Sequence, residues 1–292
     1  MMLSKLKTLA AFIALCAAAA AARSQEQVTF DPANSELFPS ISGTIRATFQ
    51  KGSGEVLRKA AVVILHGAGG VDGRGQYYAT QLNAAGISTL EITMFAPGQR
   101  SGPSQNRMAY AFSALRYLQG RPDIAPDRIG VLGFSSGGQL AVKTAIPSIA
   151  SAFIKDQPAF AAHAANYPVC WAWAEEEAAK PSEFYFPFWK TGLSGRPILL
   201  QSGGKDDYEE PDSCQRFLQW LPEEQRKSID LRYYPSATHG WDSQRGSFNF
   251  FERLACKGRG CNVTVVADPS VAEQSSRAVV EHFSRHLAAP RQ

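Results

Sequence analysis

The sequence predicts an α/β fold with a mostly parallel central sheet flanked by helices on both faces, and three observations predict it. Short apolar, β-rich runs recur along the chain, amphipathic helical segments separate them, and no long linker interrupts the alternation. Apolar runs without polar alternation belong to strands covered on both faces, which is the setting of a parallel sheet. With 292 residues, 45% of them apolar and 19% charged, the chain can bury a large core, and residues 25–292 read as one domain.

The elements follow in order. Residues 1–22, MMLSKLKTLAAFIALCAAAAAA, set Lys5 and Lys7 before an apolar run that ends in small residues at Ala20 and Ala22. That is the plan of an export signal cut near residues 22–24. The run from Leu9 to Ala22 is shorter than the roughly 20 residues that cross a bilayer core. No stable membrane insertion is therefore expected after cleavage, and a periplasmic or secreted protein follows. Residues 27–50, with GTIRATF ahead of the turn-like KGSG, read as one or two strands added at the sheet edge. Six strands are then expected from AVVILHG (61–67), GISTLEI (86–92), RIGVLGF (128–134), FAAHAANYP (160–168), PILLQSG (197–203) and IDLRYYP (229–235). QYYATQLNAAG, NRMAYAFSALRYLQG and PDSCQRFLQWL lie between them, with apolar residues recurring at three and four, and SVAEQSSRAVVEHFSRHL forms the last helix.

The formal charge of +4 falls once Lys5 and Lys7 leave with the signal, and no basic patch remains to hold nucleic acid. Four cysteines follow the signal, an even number suited to an oxidising compartment. Cys256 and Cys261 flank the short loop KGRG, and Cys170 and Cys214 each follow a predicted strand end. Bridges of these lengths contribute about 2 and 4 kcal/mol by loop-closure entropy. Zinc would want a CxxC or HxxxH pattern beside these cysteines, and neither is present.

The chemistry gathers where RIGVL runs into Gly133-Phe134-Ser135-Ser136-Gly137 and on into a helix. A serine at the tip of a sharp strand-to-helix turn has an unfavourable backbone, and the residues two before and two after it crowd together, so both must be tiny. Ser135 has glycine at both places, whereas Phe134 precedes Ser136 by two. Ser135 is the expected nucleophile and Ser136 an oxyanion donor through its backbone N–H. A serine needs a base, and the base needs a carboxylate to orient it. His66 closes a strand in LHGAGG, His163 lies inside an apolar strand, and His282 and His286 share a face of the last helix, read as solvated rather than metal-binding. His239, in YPSATHGWD after the last strand of the sheet, remains. In QSGGKDDYEEP, Asp206 is preferred to Asp207 because it comes first after the glycine turn, and Glu209 and Glu210 read as a solvated turn. The order Ser135, Asp206, His239 is that of the α/β-hydrolase fold. The glycine-rich loop HGAGG supplies Ala68 as the second oxyanion donor. No metal or organic cofactor is needed for this chemistry, and a small-molecule ester is the expected substrate.

At VVILHGAGG, APGQRSG, RYLQGRPDIAPDRIGVLGFSSGGQLA, SGGKDDYEEP and YPSATHGWD, the chain resembles the dienelactone hydrolase family. The resemblance implies the same site: Ser135, Asp206 and His239 with Ala68 and Ser136 as oxyanion donors. Two departures bear on substrate. Members that cleave dienelactone use cysteine as nucleophile and a glutamate beside the oxyanion loop, where this chain has Ser135 and Gly67. They also bind the substrate carboxylate with an arginine shortly after the catalytic histidine, where this chain has Ser243, with Arg245 two residues on. A serine esterase is the expectation that survives both. Trp171 and Trp173, with the aromatics of SEFYFPFWK, either wall an acyl or aryl pocket or pack the underside of a long loop. A serine peptidase or amidase on the same fold, and a catalytically silent binding protein, are the rival readings.

Overall fold

The computed structural model describes residues 25–38, 40–54, 57–95, 107–154, 156–174 and 192–289. The proposed signal and the aromatic run from Phe184 to Trp189 lie outside these residues.

Eight strands form the main sheet: β1 (Glu26–Phe30), β2 (Ile45–Gln50), β3 (Ala61–Leu65), β4 (Ser88–Thr93), β5 (Ile129–Phe134), β6 (Ala162–Asn166), β7 (Ile198–Gly203) and β8 (Ile229–Tyr234). Their spatial order is β1-β2-β4-β3-β5-β6-β7-β8. All pairs from β4 onward are parallel, while β1 and β2 are the antiparallel edge that residues 27–50 predicted. β3 neighbours β4 on one side and β5 on the other, so the connections diverge between β3 and β5. A crevice opens at the carboxyl ends of strands at such a point.

Alternation along each strand splits the core. Ala61, Val63 and Leu65 of β3 join one cluster, and Val62 and Ile64 join the other; all five are inaccessible to solvent. On the first face pack α2 (Met108–Gln119), α3 (Ser136–Lys143), α4 (Pro147–Phe153), α5 (Trp171–Ala174) and α6 (Ser213–Trp220). On the second pack α1 (Arg74–Ala84) and a long last helix over Pro269–His286. That helix starts cleanly because Asp268 accepts a hydrogen bond from the Val271 N–H at 3.0 Å and Pro269 needs no donor at the first position.

One element escaped the sequence reading. Strands β9 (Phe248–Glu252) and β10 (Cys261–Val265) pair as a separate antiparallel hairpin over a small cluster of Ala255, Val263 and Val265. Its strands are short, interrupted by Asn249, Asn262 and Thr264, and half exposed, so they carry no long apolar run.

The last helix also corrects the solvated reading of its histidines. His282 is buried at 7% exposure, its ring 4.8 Å from that of His286, with His163 on β6 nearby. Both helix histidines line a cavity of about 520 Å³ at the amino ends of β7 and β8, the opposite edge from Ser135. Burial pushes His163 and His282 down to about 3. Unfolding restores an ordinary histidine, which takes up a proton below about 6.5. The stability that these groups contribute is therefore complete above pH 6.5 and is lost as pH falls toward 3, by about 3 kcal/mol per histidine between pH 6.5 and 4. Urea unfolding across this range should show a falling midpoint, and His282→Leu should flatten the fall. An equally steep decline in the variant would contradict the assignment.

Candidate active site

The carboxyl end of β5 delivers Ser135 into the crevice between β3 and β5. Its φ of 52° and ψ of −118° are unfavourable for any residue with a side chain, by about 1–3 kcal/mol. The surroundings leave no other course. A Cβ on Gly133 would lie 2.0 Å from the Gly137 carbonyl oxygen, and one on Gly137 would lie 2.3 Å from that of Leu65. Real Cβ atoms do not approach so closely, so both positions admit only glycine. The Ser135 N–H donates to the Asn166 carbonyl at 3.0 Å, tying the turn to β6, and the Gln139 N–H donates to the Ser135 carbonyl at 3.0 Å, starting α3.

His239 lies on the loop after β8, anchored by the fully buried Trp241. Its Nε2 lies 3.0 Å from Ser135 Oγ and its Nδ1 lies 2.7 Å from Asp206 Oδ2. Both His239 and Asp206 are 5% exposed. The two loops that carry them are joined directly, the Lys205 N–H donating to the Ala237 carbonyl at 2.9 Å. Asp206 Oδ1 accepts from the Tyr208 N–H at 2.9 Å. Asp207 turns the other way, toward the hairpin, where Oδ2 accepts from the Thr264 N–H at 2.7 Å. The structure thus brings together Ser135, His239 and Asp206 and leaves Asp207 outside. Glu209 is not the solvated residue that the sequence suggested. Burial and then the Asp206 charge hold its carboxyl well above the usual carboxylate range, and Oε2 accepts from the Trp171 N–H at 2.9 Å.

The loop after β3 reaches the same place. Gly67 stands so close that a Cβ there would be 3.5 Å from Ser135 Cβ, and Ala68 follows in a turn closed by the Gly70 N–H on the Gly67 carbonyl at 3.2 Å. His66 holds this turn rather than joining the chemistry: Nδ1–H donates to the Gly67 carbonyl at 2.7 Å, and Nε2 accepts from the Met94 N–H at 3.0 Å. Burial lowers its basicity, consistent with that neutral tautomer. Ser136 opens α3, its N–H at the positive end of the helix.

Of the two tryptophans, Trp173 has no exposed surface and packs on Phe217 with ring centroids 5.1 Å apart. That places it in the core, as the packed underside of its segment, and corrects its reading as a pocket wall. Trp171 is half-buried, its ring beside Gly258.

Several residues at the site gave no signal in the sequence. Arg107 is buried and its Nη1 donates to Ser136 Oγ at 3.1 Å. Burial pushes it down to about 10, and burial together with Arg107 pushes Lys143 down to about 8. Behind His239 lies a buried polar network. Asp242 accepts from the Tyr167 hydroxyl at 2.5 Å and from the Tyr78 hydroxyl at 2.9 Å, and Arg74 Nη1 donates to the Tyr167 hydroxyl at 3.0 Å. Asn166 extends it by donating to the Tyr78 hydroxyl at 2.8 Å and accepting from Gln201 Nε2 at 2.8 Å. Asn166 and Tyr167 are consecutive, so the backbone that holds Ser135 and the ring beneath His239 belong to one strand end. Such contacts join α1, β6 and the His239 loop, elements no short motif relates.

Both disulfides close, Cys256 to Cys261 across the short loop and Cys170 to Cys214 between residues that follow strand ends. They stand on either side of the acid loop. The first ties the segment after β6 to α6, which follows that loop; the second closes a turn whose Cys256 and Lys257 N–H groups donate to the Asp207 and Tyr208 carbonyls at 2.8 and 3.1 Å. Cys170 and Cys214 group with Glu209, but paired sulfurs are not thiolate ligands. No helix among the described residues is long and apolar enough to cross a membrane.

Comparison with known proteins gives a family and a fold. A model of the dienelactone hydrolase family matches residues 93–287. A Bacillus subtilis protein described as a hydrolase, YtaP, is 31% identical over 114 residues, which cover 29% of this chain and 38% of that protein. Thus the match spans well under half the length of this curated relative. Among solved structures, the carboxylesterase Cest-2923 of Lactobacillus plantarum superposes with a TM-score of 0.62 at 15% identity, covering 92% of this chain and all of that one. Thermogutta terrifontis esterase 2, phosphorylated by paraoxon, gives 0.61 at 15% identity over 91% of this chain and 96% of its own. At such identity these two structures speak for the fold alone.

The crowding at the turn makes one direct prediction. Gly137→Ala should destabilise the protein by about 3 kcal/mol or more, read as a melting midpoint lower by about 8 °C or as loss of soluble protein. An unchanged midpoint would contradict the packing described for β3, β5 and α3.

Proposed function

This chain belongs to the dienelactone hydrolase family, and on that premise we propose that it is a carboxylic ester hydrolase that acts through Ser135, His239 and Asp206 by way of an acyl-enzyme. The observation that supports this reading is the unbroken pair of short contacts, Ser135 Oγ to His239 Nε2 at 3.0 Å and His239 Nδ1 to Asp206 Oδ2 at 2.7 Å.

His239 accepts the Ser135 hydroxyl proton at Nε2 as Oγ attacks the ester carbonyl carbon. Asp206 accepts the Nδ1–H hydrogen bond throughout, which fixes the tautomer that leaves Nε2 free and offsets the imidazolium charge. The N–H groups of Ala68 and Ser136 receive the oxyanion of the tetrahedral intermediate, each contributing about 3 kcal/mol to the transition state. Collapse breaks the bond to the alcohol, which leaves with the proton from Nε2. A water then attacks the acyl-enzyme, giving its proton to the same nitrogen, and release of the acid returns Ser135 to its hydroxyl form. Small esters are the substrate class; the half-buried ring of Trp171 is the candidate wall for one end of them.

Residues 1–22 act as an export signal in this reading, and residues 25–292 form a single catalytic domain in the periplasm or outside the cell. Two disulfides flanking the acid loop support an oxidising destination.

Ser135→Ala should lower kcat on a simple aryl ester by at least about 10³-fold while the far-ultraviolet circular dichroism stays that of the parent. Asp206→Asn should be impaired on the same scale and Asp207→Asn far less. Turnover retained by folded Ser135→Ala would refute the assignment.

A further inference from the structure

His239 is bounded by more than its acid and its serine. Tyr208 lies with its ring centroid 4.3 Å from the imidazole at an interplanar angle of 40°, and Tyr167 lies 4.9 Å away at 64°. Neither ring is placed by accident of a mobile side chain. Tyr167 is the first residue past β6, with a positive φ of 40°, its hydroxyl held by Asp242 and Arg74 and its ring in a T-shaped contact with Trp241, centroids 4.6 Å apart. Tyr208 is pinned at both backbone ends, its N–H on Asp206 and its carbonyl accepting from Lys257 within the turn that Cys256–Cys261 closes.

We propose that Tyr208 and Tyr167 form a two-ring cage that stabilises the imidazolium form of His239, so that they position the base and lower the barriers in which it carries charge. This rests on the reading of Ser135, His239 and Asp206 given above. A cation within about 6 Å of an aromatic centroid is attracted by the ring face, most strongly where water is excluded. His239 is nearly sealed from water, so the two rings stand where hydration of the imidazolium would otherwise lie. The neutral imidazole of the resting enzyme gains little from the same rings. The cage therefore favours the transition states over the ground state, which raises kcat rather than binding.

Charges around the base leave this role open. Asp206 is the carboxylate in contact with it. Glu209, next along the loop, is held toward its neutral form by burial and by Asp206. Asp242 and Arg74 oppose each other across 4.0 Å behind Tyr167, and Arg74 also pairs with Asp72. Ser135 faces the base as a neutral hydroxyl.

The test compares Tyr208→Phe, Tyr208→Leu and Tyr208→Met in the full chain, with kcat and KM on an aryl ester measured across pH. The leucine variant should lose about 5- to 30-fold in kcat with KM within about twofold, the span expected for a desolvated ring–cation contact. The acidic limb of its kcat/KM profile should move to lower pH, because an imidazolium without the ring gives up its proton more readily. Phenylalanine keeps the ring face and should hold both kcat and the limb near those of the parent. Methionine fills the space without a π face, so it should behave as leucine does and serves in its place if leucine fails to fold. A limb that stays put in the leucine or methionine variant overturns the cage, as does a phenylalanine variant that falls as far as leucine. Full activity in Ser135→Ala would instead remove the underlying reading, and the proposal with it.

Discussion

The structure depends on one constraint, the forced backbone of Ser135. A residue with a side chain is held at φ 52° because β5 runs between two parallel neighbours and must turn at once into a helix that lies against the end of β3. Gly133 and Gly137 let the two arms of that turn touch, and the hydrogen bond from Ser135 to Asn166 stops the strain from relaxing sideways. The hydroxyl is thereby fixed at the mouth of the crevice. Every other part of the site is arranged with respect to a point that cannot move.

The partners are fixed differently. His239 and Asp206 come from loops, which are ordinarily mobile, and the molecule stiffens them with buried polar contacts instead of backbone strain. Asp242 collects hydrogen bonds from Tyr167 and Tyr78, Arg74 adds its charge, and two disulfides bracket the acid loop. A buried carboxylate that loses a partner is destabilised by about 3–5 kcal/mol, so this network has few alternative arrangements. Rigid strand ends and locked loops together hold the 3.0 Å contact between His239 and Ser135.

Much of this was legible in the residues. Strands β3 to β7 announce themselves because burial on both faces demands largely apolar runs, β8 at the sheet edge does so by alternating Ile229, Leu231 and Tyr233 with polar residues, and the turn at Ser135 does so because crowding demands glycine at two fixed places. His239 followed from its loop after the last strand of the sheet once the other histidines were set aside, and Asp206 from its place first after the glycine turn. What stayed hidden has a common physical character. The β9–β10 hairpin is half exposed and its strands are only five residues long, so the alternation of CNVTV is too short to mark a strand by itself. Arg74, Arg107, Tyr167 and Asp242 act through contacts between residues as many as 168 positions apart, such as Arg74 with Asp242, and nothing local distinguishes them from other polar residues. Trp173 illustrates the converse: an aromatic-rich segment reads the same whether it walls a pocket or fills a core, and only burial separates the two.

The central claim is that Ser135 is a nucleophile activated by His239, and trapping the covalent bond tests it most directly. The purified protein would be treated with a fluorophosphonate and digested, and the modified peptide identified by mass spectrometry. The account predicts a single adduct on Ser135, formed at least about 10³-fold more slowly in His239→Ala. An adduct on another residue, or labelling of Ser135 at an undiminished rate without His239, would contradict it.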